Sequence, residues 1–224
     1  MASTVLPRPL ESQPTQQSGV RQKVILVLSA WFLLVVALGA AGAFVARPGT
    51  PPILLAIGVA APLLLFFAWL RLSQPFRDFV LSLDLRLIAG IQAWRWAGLG
   101  FLSLYAHNVL PAVFALPAGL GDMAIGFTAP WMILALVRQP GFAASATFVR
   151  WNVLGILDLV VALTIGTVTA TLASGAPGEV STGPMATLPL LLIPVYLVPV
   201  FLMLHATALM QSRRIRRERT PSRA

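Results

Sequence analysis

Cysteine is absent from this 224-residue chain. That excludes disulfides, thiolate catalysis, Cys-ligated zinc, iron–sulfur clusters and lipidated cysteine. Lysine occurs once, at Lys23, ahead of the first apolar run, which argues against Schiff-base chemistry inside a bundle and so against a retinal protein. Charged residues make up only 10% of the chain, against about a quarter in ordinary soluble domains. There is no Walker A lysine motif, no H-E-x-x-H, no G-x-S-x-G and no acidic cluster suited to two metals. Gly119-Leu120-Gly121-Asp122 is no nucleotide fingerprint, because no strand precedes it. No metal site, no resident cofactor and no catalytic residue is expected, and an enzyme is the weaker expectation.

What the chain has in abundance is apolar sequence, 58% of it. It falls into six runs, 24–46, 52–70, 96–116, 118–137, 151–173 and 186–210. At about 1.5 Å per residue each crosses, or nearly crosses, a hydrocarbon core of about 30 Å. Basic residues occupy alternate gaps: Arg8, Arg21 and Lys23; Arg71, Arg77, Arg86 and Arg95; Arg138 and Arg150; and Arg213, Arg214, Arg216, Arg217, Arg219 and Arg223. The other gaps hold only Arg47. Basic residues resist translocation and mark the cytoplasmic side. The fold class expected is an all-α membrane protein with six transmembrane helices and both termini inside.

The net charge of +9 is therefore a topology signal plus a basic tail, and does not imply nucleic acid. Residues 1–22, polar and with Pro7, Pro9 and Pro14, are expected to be a disordered cytoplasmic tail. Residues 23–210 form one transmembrane domain, and 211–224 a basic tail expected on anionic lipid. Ala41-Gly42-Ala43 looks like a signal-peptidase site, but the run before it exceeds the usual apolar stretch of about 7–15 residues, so an uncleaved helix is expected. Outer loops are expected at 47–51, at a Pro-Ala-Gly turn over 116–119, and at 174–185.

Between the second and third runs, Phe76, Phe79, Val80, Leu83, Leu87, Ile91 and Trp94 recur at three- and four-residue spacing, with Arg77, Asp78, Asp84, Arg86 and Gln92 mainly elsewhere on the wheel. This predicts an amphipathic helix, either lying in the inner interface or lengthening the third helix. A short repeat, R-W-x-x-L-G-x-L, starts at Arg95 and again at Arg150. It reads either as an interfacial Arg-Trp anchor with a packing glycine or as a duplicated hairpin, 95–137 and 150–210. On the third helix Trp96, Gly100, Ser103 and His107 share a face, and on the fifth Trp151, Gly155, Asp158 and Ala162 share another.

Strongly polar residues inside apolar runs mark functional positions. They are His107, Asn108, Asp122, Asn152, Asp158 and His205, with Arg95 and Arg150 at the expected inner boundary. Asp158 lies eight residues beyond Arg150 and His205 eight before Arg213, so both sit at about 12 Å depth and are expected to pair. His107 and Asp122 form a second candidate pair, offset by about one turn. Asn152 caps or bridges at the inner boundary. Asp–His pairs in hydrocarbon act as hydrogen-bond glue, as proton-relay or substrate-binding groups, or as ligands to a metal or haem. Pro111, Pro117 and Pro130, and Pro189, Pro194 and Pro199, break or flank the later helices and free carbonyls there.

Three segments carry a resemblance: Phe114-Ala115-Leu116-Pro117-Ala118-Gly119-Leu120-Gly121-Asp122, Trp151-Asn152-Val153-Leu154-Gly155-Ile156-Leu157-Asp158-Leu159, and Leu192-Ile193-Pro194-Val195-Tyr196-Leu197-Val198-Pro199 leading to His205. Together they resemble a group of small, uncharacterised bacterial integral-membrane proteins. The resemblance implies a bacterial inner-membrane location and supplies no reaction.

Three functions fit these features. One is a small transporter or proton-coupled permease with Asp158, His205, His107, Asp122, Asn152 and Arg95 around a polar site between helices three to six. Another is a non-catalytic subunit or assembly factor that docks a partner through the basic tail. The third is a haem-b or quinone redox protein using His107 and His205. Six helices are few for a complete carrier, so a homo-oligomer or a membrane-complex partner is expected.

Overall fold

The computed structural model describes residues 14–219. Its regular structure is helical, with no strand among the described residues. The helices are α1 (Pro14–Ala40), α2 (Ile53–Leu72), α3 (Gln74–Leu81), α4 (Leu85–Gln92), α5 (Leu99–Ala106), α6 (Ala112–Arg138), α7 (Ala146–Leu172) and α8 (Val198–Arg219). A 3₁₀ segment, Ala93–Gly98, joins α4 to α5, and a π-helical turn, Ile193–Leu197, leads into α8. Five stretches are long and apolar enough to cross a membrane: Ser18–Ala40, Ile53–Leu72, Ala112–Arg138, Ala146–Leu172 and Ile193–Arg219. Their outward faces are apolar, with Leu26, Leu64, Leu65, Phe127 and Leu172 all exposed, while Arg95, Asn152 and His205 are buried. Greasy outside and polar inside is the arrangement expected of a bundle in lipid.

The ends of the bundle differ from the expected ones in instructive ways. Helix α1 starts at Pro14, so part of the expected tail is helical; residues 1–13 lie outside the described residues. Helix α8 runs on through the basic segment to Arg219, and Arg216 Nε–H donates to the Ala144 carbonyl at 2.7 Å. The last positions, 220–224, are also outside the described residues.

The single amphipathic helix expected between α2 and the third crossing is two helices. Ser73 caps α3 by accepting from the Phe76 amide, and Asp84 caps α4 by accepting from the Arg86 amide. The break between them is held by Gln211, whose Nε2 donates to the carbonyls of Leu83 (2.9 Å) and Val80 (3.3 Å). Helix α3 packs on α1 and α2, with Phe76 stacked on Trp69 at 4.0 Å. Helix α4 packs on α6 and α8. From Leu85 to Ala106 the chain stays helical, so α4 lengthens the third apolar run instead of lying apart from it.

The turn expected over 116–119 is instead at 107–111. Asn108 adopts a left-handed backbone (φ 55°), the Val109 amide donates to the Leu104 carbonyl at 2.8 Å, and Pro111 precedes α6. With the Asn108 amide also donating to the Tyr105 carbonyl at 2.9 Å, this is a Schellman-type helix stop, whose left-handed residue Asn tolerates and a following Pro reinforces. Pro117 and Pro130 lie inside α6, and Pro189, in the sixth apolar run, precedes the π-helical turn that leads into α8.

A core of Ile88, Ala89, Ile125, Ala129, Phe148, Trp151 and Ala208 ties α4, α6, α7 and α8 together. Small residues bring the backbones close, as lipid-embedded packing requires. A Cβ added at Gly126 would run into the backbone of Arg95 and Trp96, and one at Gly98 into Asp122 and Gly119.

Candidate functional site

Arg95, expected as an interfacial anchor, lies near the middle of the bundle. It is ten residues beyond Leu85 and eleven before Ala106. Asp122, Asp158 and His205 are likewise near the midpoints of α6, α7 and the Ile193–Arg219 stretch. The buried residues leading to Arg95 explain the backbone there. Gln92, Arg95, Gly98 and Phe101 are all buried and are spaced three apart. On an α-helix that spacing drifts around the cylinder; on a 3₁₀ helix residues i and i+3 eclipse. The 3₁₀ stretch therefore holds Arg95 and Gly98 on one line facing α6, α7 and α8, and turns Trp96 outward (54% exposed).

The Arg95 side chain is wholly buried and spends its donors on three helices. Nε–H donates to Asp122 Oδ1 at 2.6 Å, and Nη2–H donates to Asp158 Oδ2. Nη1 donates to the Gly155 carbonyl at 3.3 Å and stands 3.1 Å from His205 Nε2. Its guanidinium carbon lies 6.0 Å from the Phe201 ring centre, within cation–π range. His205 Nδ1 is 2.9 Å from Asn152 Oδ1, and Asn152 Nδ2 donates to the Phe148 carbonyl at 2.8 Å. The pattern sets the tautomer. Asn152 offers its oxygen, so His205 carries its proton on Nδ1; Nε2 faces a guanidinium donor and accepts. His205 is thus a neutral acceptor fixed between α7 and α8.

Glycines make room for this network. A Cβ at Gly121 would overlap the Asp158 carboxyl, and one at Gly155 would overlap the His205 ring. The repeat alone does not reveal that Gly155 has this duty, because its counterpart Gly100 has nothing within 4 Å.

Charge and access set what the cluster can do. One guanidinium faces two carboxylates, so with both ionised a negative charge is left over. A lone charge in hydrocarbon costs several kcal/mol, so the site calls for one more positive charge. The Arg95 side chain is 0% exposed while Asp122 and Asp158 are 16% and 17% exposed. The accessible side chains of the cluster's ion pairs are therefore the acidic ones. A cavity of about 210 Å³ reaches Asp122 from the end of the bundle where the α1–α2 and α7–α8 loops meet. Phe101, Phe114, Leu159 and Leu163 line its depth, and Arg47 and Glu179 its loop end.

Asp158 and His205, expected to pair directly, meet through Arg95. The expected His107–Asp122 pair does not form: His107 is exposed at the 107–111 turn, with Nδ1 2.8 Å from the Ser103 carbonyl of its own helix. His107 and His205 are thus in different settings, one exposed at a loop and one buried with both ring nitrogens engaged, and the geometry does not offer them to a shared haem. Asn152 is buried as the orienting partner of His205 and does not sit at a boundary; Arg150, two residues earlier, is exposed. Sequence reasoning missed Gln92, assigned to the polar face of a surface helix. It is fully buried, with Nε2 3.4 Å from the Phe201 carbonyl and Oε1 unpartnered. The three-residue spacing of Gln92, Arg95 and Gly98 was the available signal.

A family model described as "Domain of unknown function (DUF8737)" matches residues 52–213. The chain belongs to this family. The matched segment spans α2 to α8 and includes every member of the Arg95 cluster, and leaves α1 outside. No curated protein and no solved structure matches the chain.

Proposed function

We propose that this DUF8737 protein is a small proton-coupled permease of a bacterial inner membrane, with six crossings, both ends cytoplasmic, and the Arg95–Asp122–Asp158 cluster as its proton-handling centre. The observation that carries the reading is Arg95, buried at mid-length against two carboxylates, with a cavity leading to one of them. A lock that only held helices together would gain nothing from an accessible, under-neutralised carboxylate pair.

Helical continuity supports the sixth crossing. The stretch from Leu85 to Ala106 runs antiparallel along α6: Gly90 faces Ile133, Gly98 faces Asp122, and the Phe101 and Phe114 rings lie 5.6 Å apart. From Ile133 back to Phe114 is nineteen residues, or about 28 Å of helix, close to the thickness of a hydrocarbon core. The basic residues other than Arg95 support the orientation, and the basic end of α8 suits anionic lipid on the inner face. Reporters fused after Arg138 should read cytoplasmic and those within 174–185 periplasmic; the reverse overturns the topology.

The function is tested by a pH jump on reconstituted protein over a solid-supported membrane. A transient proton current is expected, lost in Asp158→Asn while the detergent-solubilised variant keeps its elution profile. Absence of any current from the wild type overturns the reading.

A further inference from the structure

We propose that the cavity above Asp122 binds a small hydrophobic ammonium ion, and that this cation and the proton compete for the same leftover charge, so that they exchange one for one. This rests on the proton-handling reading and names its substrate class.

The chemistry of the lining selects the ligand. Asp122 is the ionisable group in the deep part of the cavity, whose walls there are Phe101, Phe114, Leu159 and Leu163. Arg95, which would attract an anion, is covered completely by its partners. An anion entering the cavity meets carboxylate oxygen and hydrocarbon; an ammonium group meets a carboxylate that shares one guanidinium with a second carboxylate. Phe101 and Phe114 also present aromatic rings, which favour a cation with an apolar body. A volume of about 210 Å³ sets the size, since a cavity of about 150 Å³ takes benzene. A single ring carrying one aminomethyl group is of the right order. With the ammonium bound, two positive charges balance two negative ones; with it gone, a proton fills its place.

Benzylamine is the probe, with benzyl alcohol and benzoate as neutral and anionic matches, titrated calorimetrically against the full chain in lipid nanodiscs. Benzylamine should bind at least tenfold more tightly than either match. Its affinity should rise roughly tenfold per pH unit over the range where one proton is displaced. Equal binding of benzyl alcohol would make the cavity a plain apolar pocket, open to lipid, and tighter binding of benzoate would make it an anion site; either overturns the proposal. Asp122→Asn should reduce benzylamine affinity at least tenfold. Because that variant also removes a partner of Arg95, Ala170→Phe is the second test. It fills the cavity from α7 without touching the ion cluster and should abolish benzylamine binding in a protein that still elutes as the wild type does. Unchanged binding in Ala170→Phe overturns the location. Proton currents without benzylamine competition would sink this inference alone; absence of both would sink the permease reading with it.

Discussion

The two copies of R-W-x-x-L-G-x-L have nearly the same letters and opposite insides. In the first, Arg95 is buried and Trp96 exposed; in the second, Trp151 is buried (6% exposed) and Arg150 faces outward. Gly100 opens onto nothing, whereas Gly155 lies against His205. The backbone accounts for the difference. The second copy is plain α-helix, and its buried residues Phe148, Trp151, Asn152, Gly155 and Leu159 follow the three- and four-residue spacing of one α-helical face. The first copy passes through six residues of 3₁₀ helix, which turns about 120° per residue where an α-helix turns about 100°. The rotation brings the arginine in and sends the tryptophan out. A shared motif therefore fixes neither face nor role; the helix type and the neighbours do.

The largest test of this contrast is removal of each arginine. Arg95→Leu leaves two carboxylates in the core without a cation and should cost about 3–5 kcal/mol. Arg150→Leu, at an exposed position, should change stability by about 0.5 kcal/mol or less. Unfolding in mixed micelles measures both, and similar losses for the two would erase the distinction.

The glycines come next. Gly155→Ala pushes a methyl into the His205 ring and should destabilise by about 1–3 kcal/mol. Gly100→Ala meets open space on a helix and should be neutral or stabilising by up to about 1 kcal/mol. Equal effects would mean that the two faces are not opposite.

The tryptophans give a smaller and sharper readout. Trp151 Nε1–H donates to Thr128 Oγ1 at 2.9 Å, so Trp151→Phe should cost about 1–2 kcal/mol from the lost bond and packing. Trp96→Phe should cost almost nothing. Brominated lipid should quench Trp96 and spare Trp151, which is compared in variants that keep one tryptophan of the pair.

The smallest effect lies at the helix starts that precede the two copies. Asp84 caps α4, while Ser145 caps α7 by accepting from the Phe148 amide at 3.1 Å. Replacing either by Ala should cost about 1 kcal/mol, but only the Asp84 cap should depend on pH. The Arg86 side chain, and then the Arg86 amide, hold the Asp84 carboxyl below its ordinary range. A depressed carboxyl stabilises the fold above its unfolded-state value, and the contribution fades as pH falls through the lowered one. The Arg86 amide resonance should follow that titration, and the Phe148 amide should not.

Much of the fold was legible beforehand. Long apolar runs announce helices long enough to cross a membrane, and five such stretches are present among the described residues. Asp122, Asp158, His205 and Asn152 stood out because a strongly polar group inside an apolar run is costly in lipid. Arg95 was harder to read. It stands at the border of an apolar run, beside a tryptophan, where an anchor looks the same as a core ion in one dimension. Its burial depends on α4 extending the run backward, which depends in turn on the break at Ser82–Asp84 and on Gln211 holding that break from α8. His107, by contrast, looked like a partner for Asp122 until the turn at Asn108 placed it at a loop.

The sequence by itself determined the helical class, the long apolar stretches that could cross a membrane and the set of groups that must find partners, because those follow from transfer energies that each residue carries with it. Which groups become partners was decided by the tertiary structure alone. Arg95 reaches Asp122, Asp158 and His205 across 27, 63 and 110 residues of chain, and such contacts exist only after a 3₁₀ twist and two glycines, Gly121 and Gly155, have set the rotation and spacing of four helices. Local preference extends over a turn or two of helix, whereas an ion cluster satisfied from several helices at once is a property of their packing.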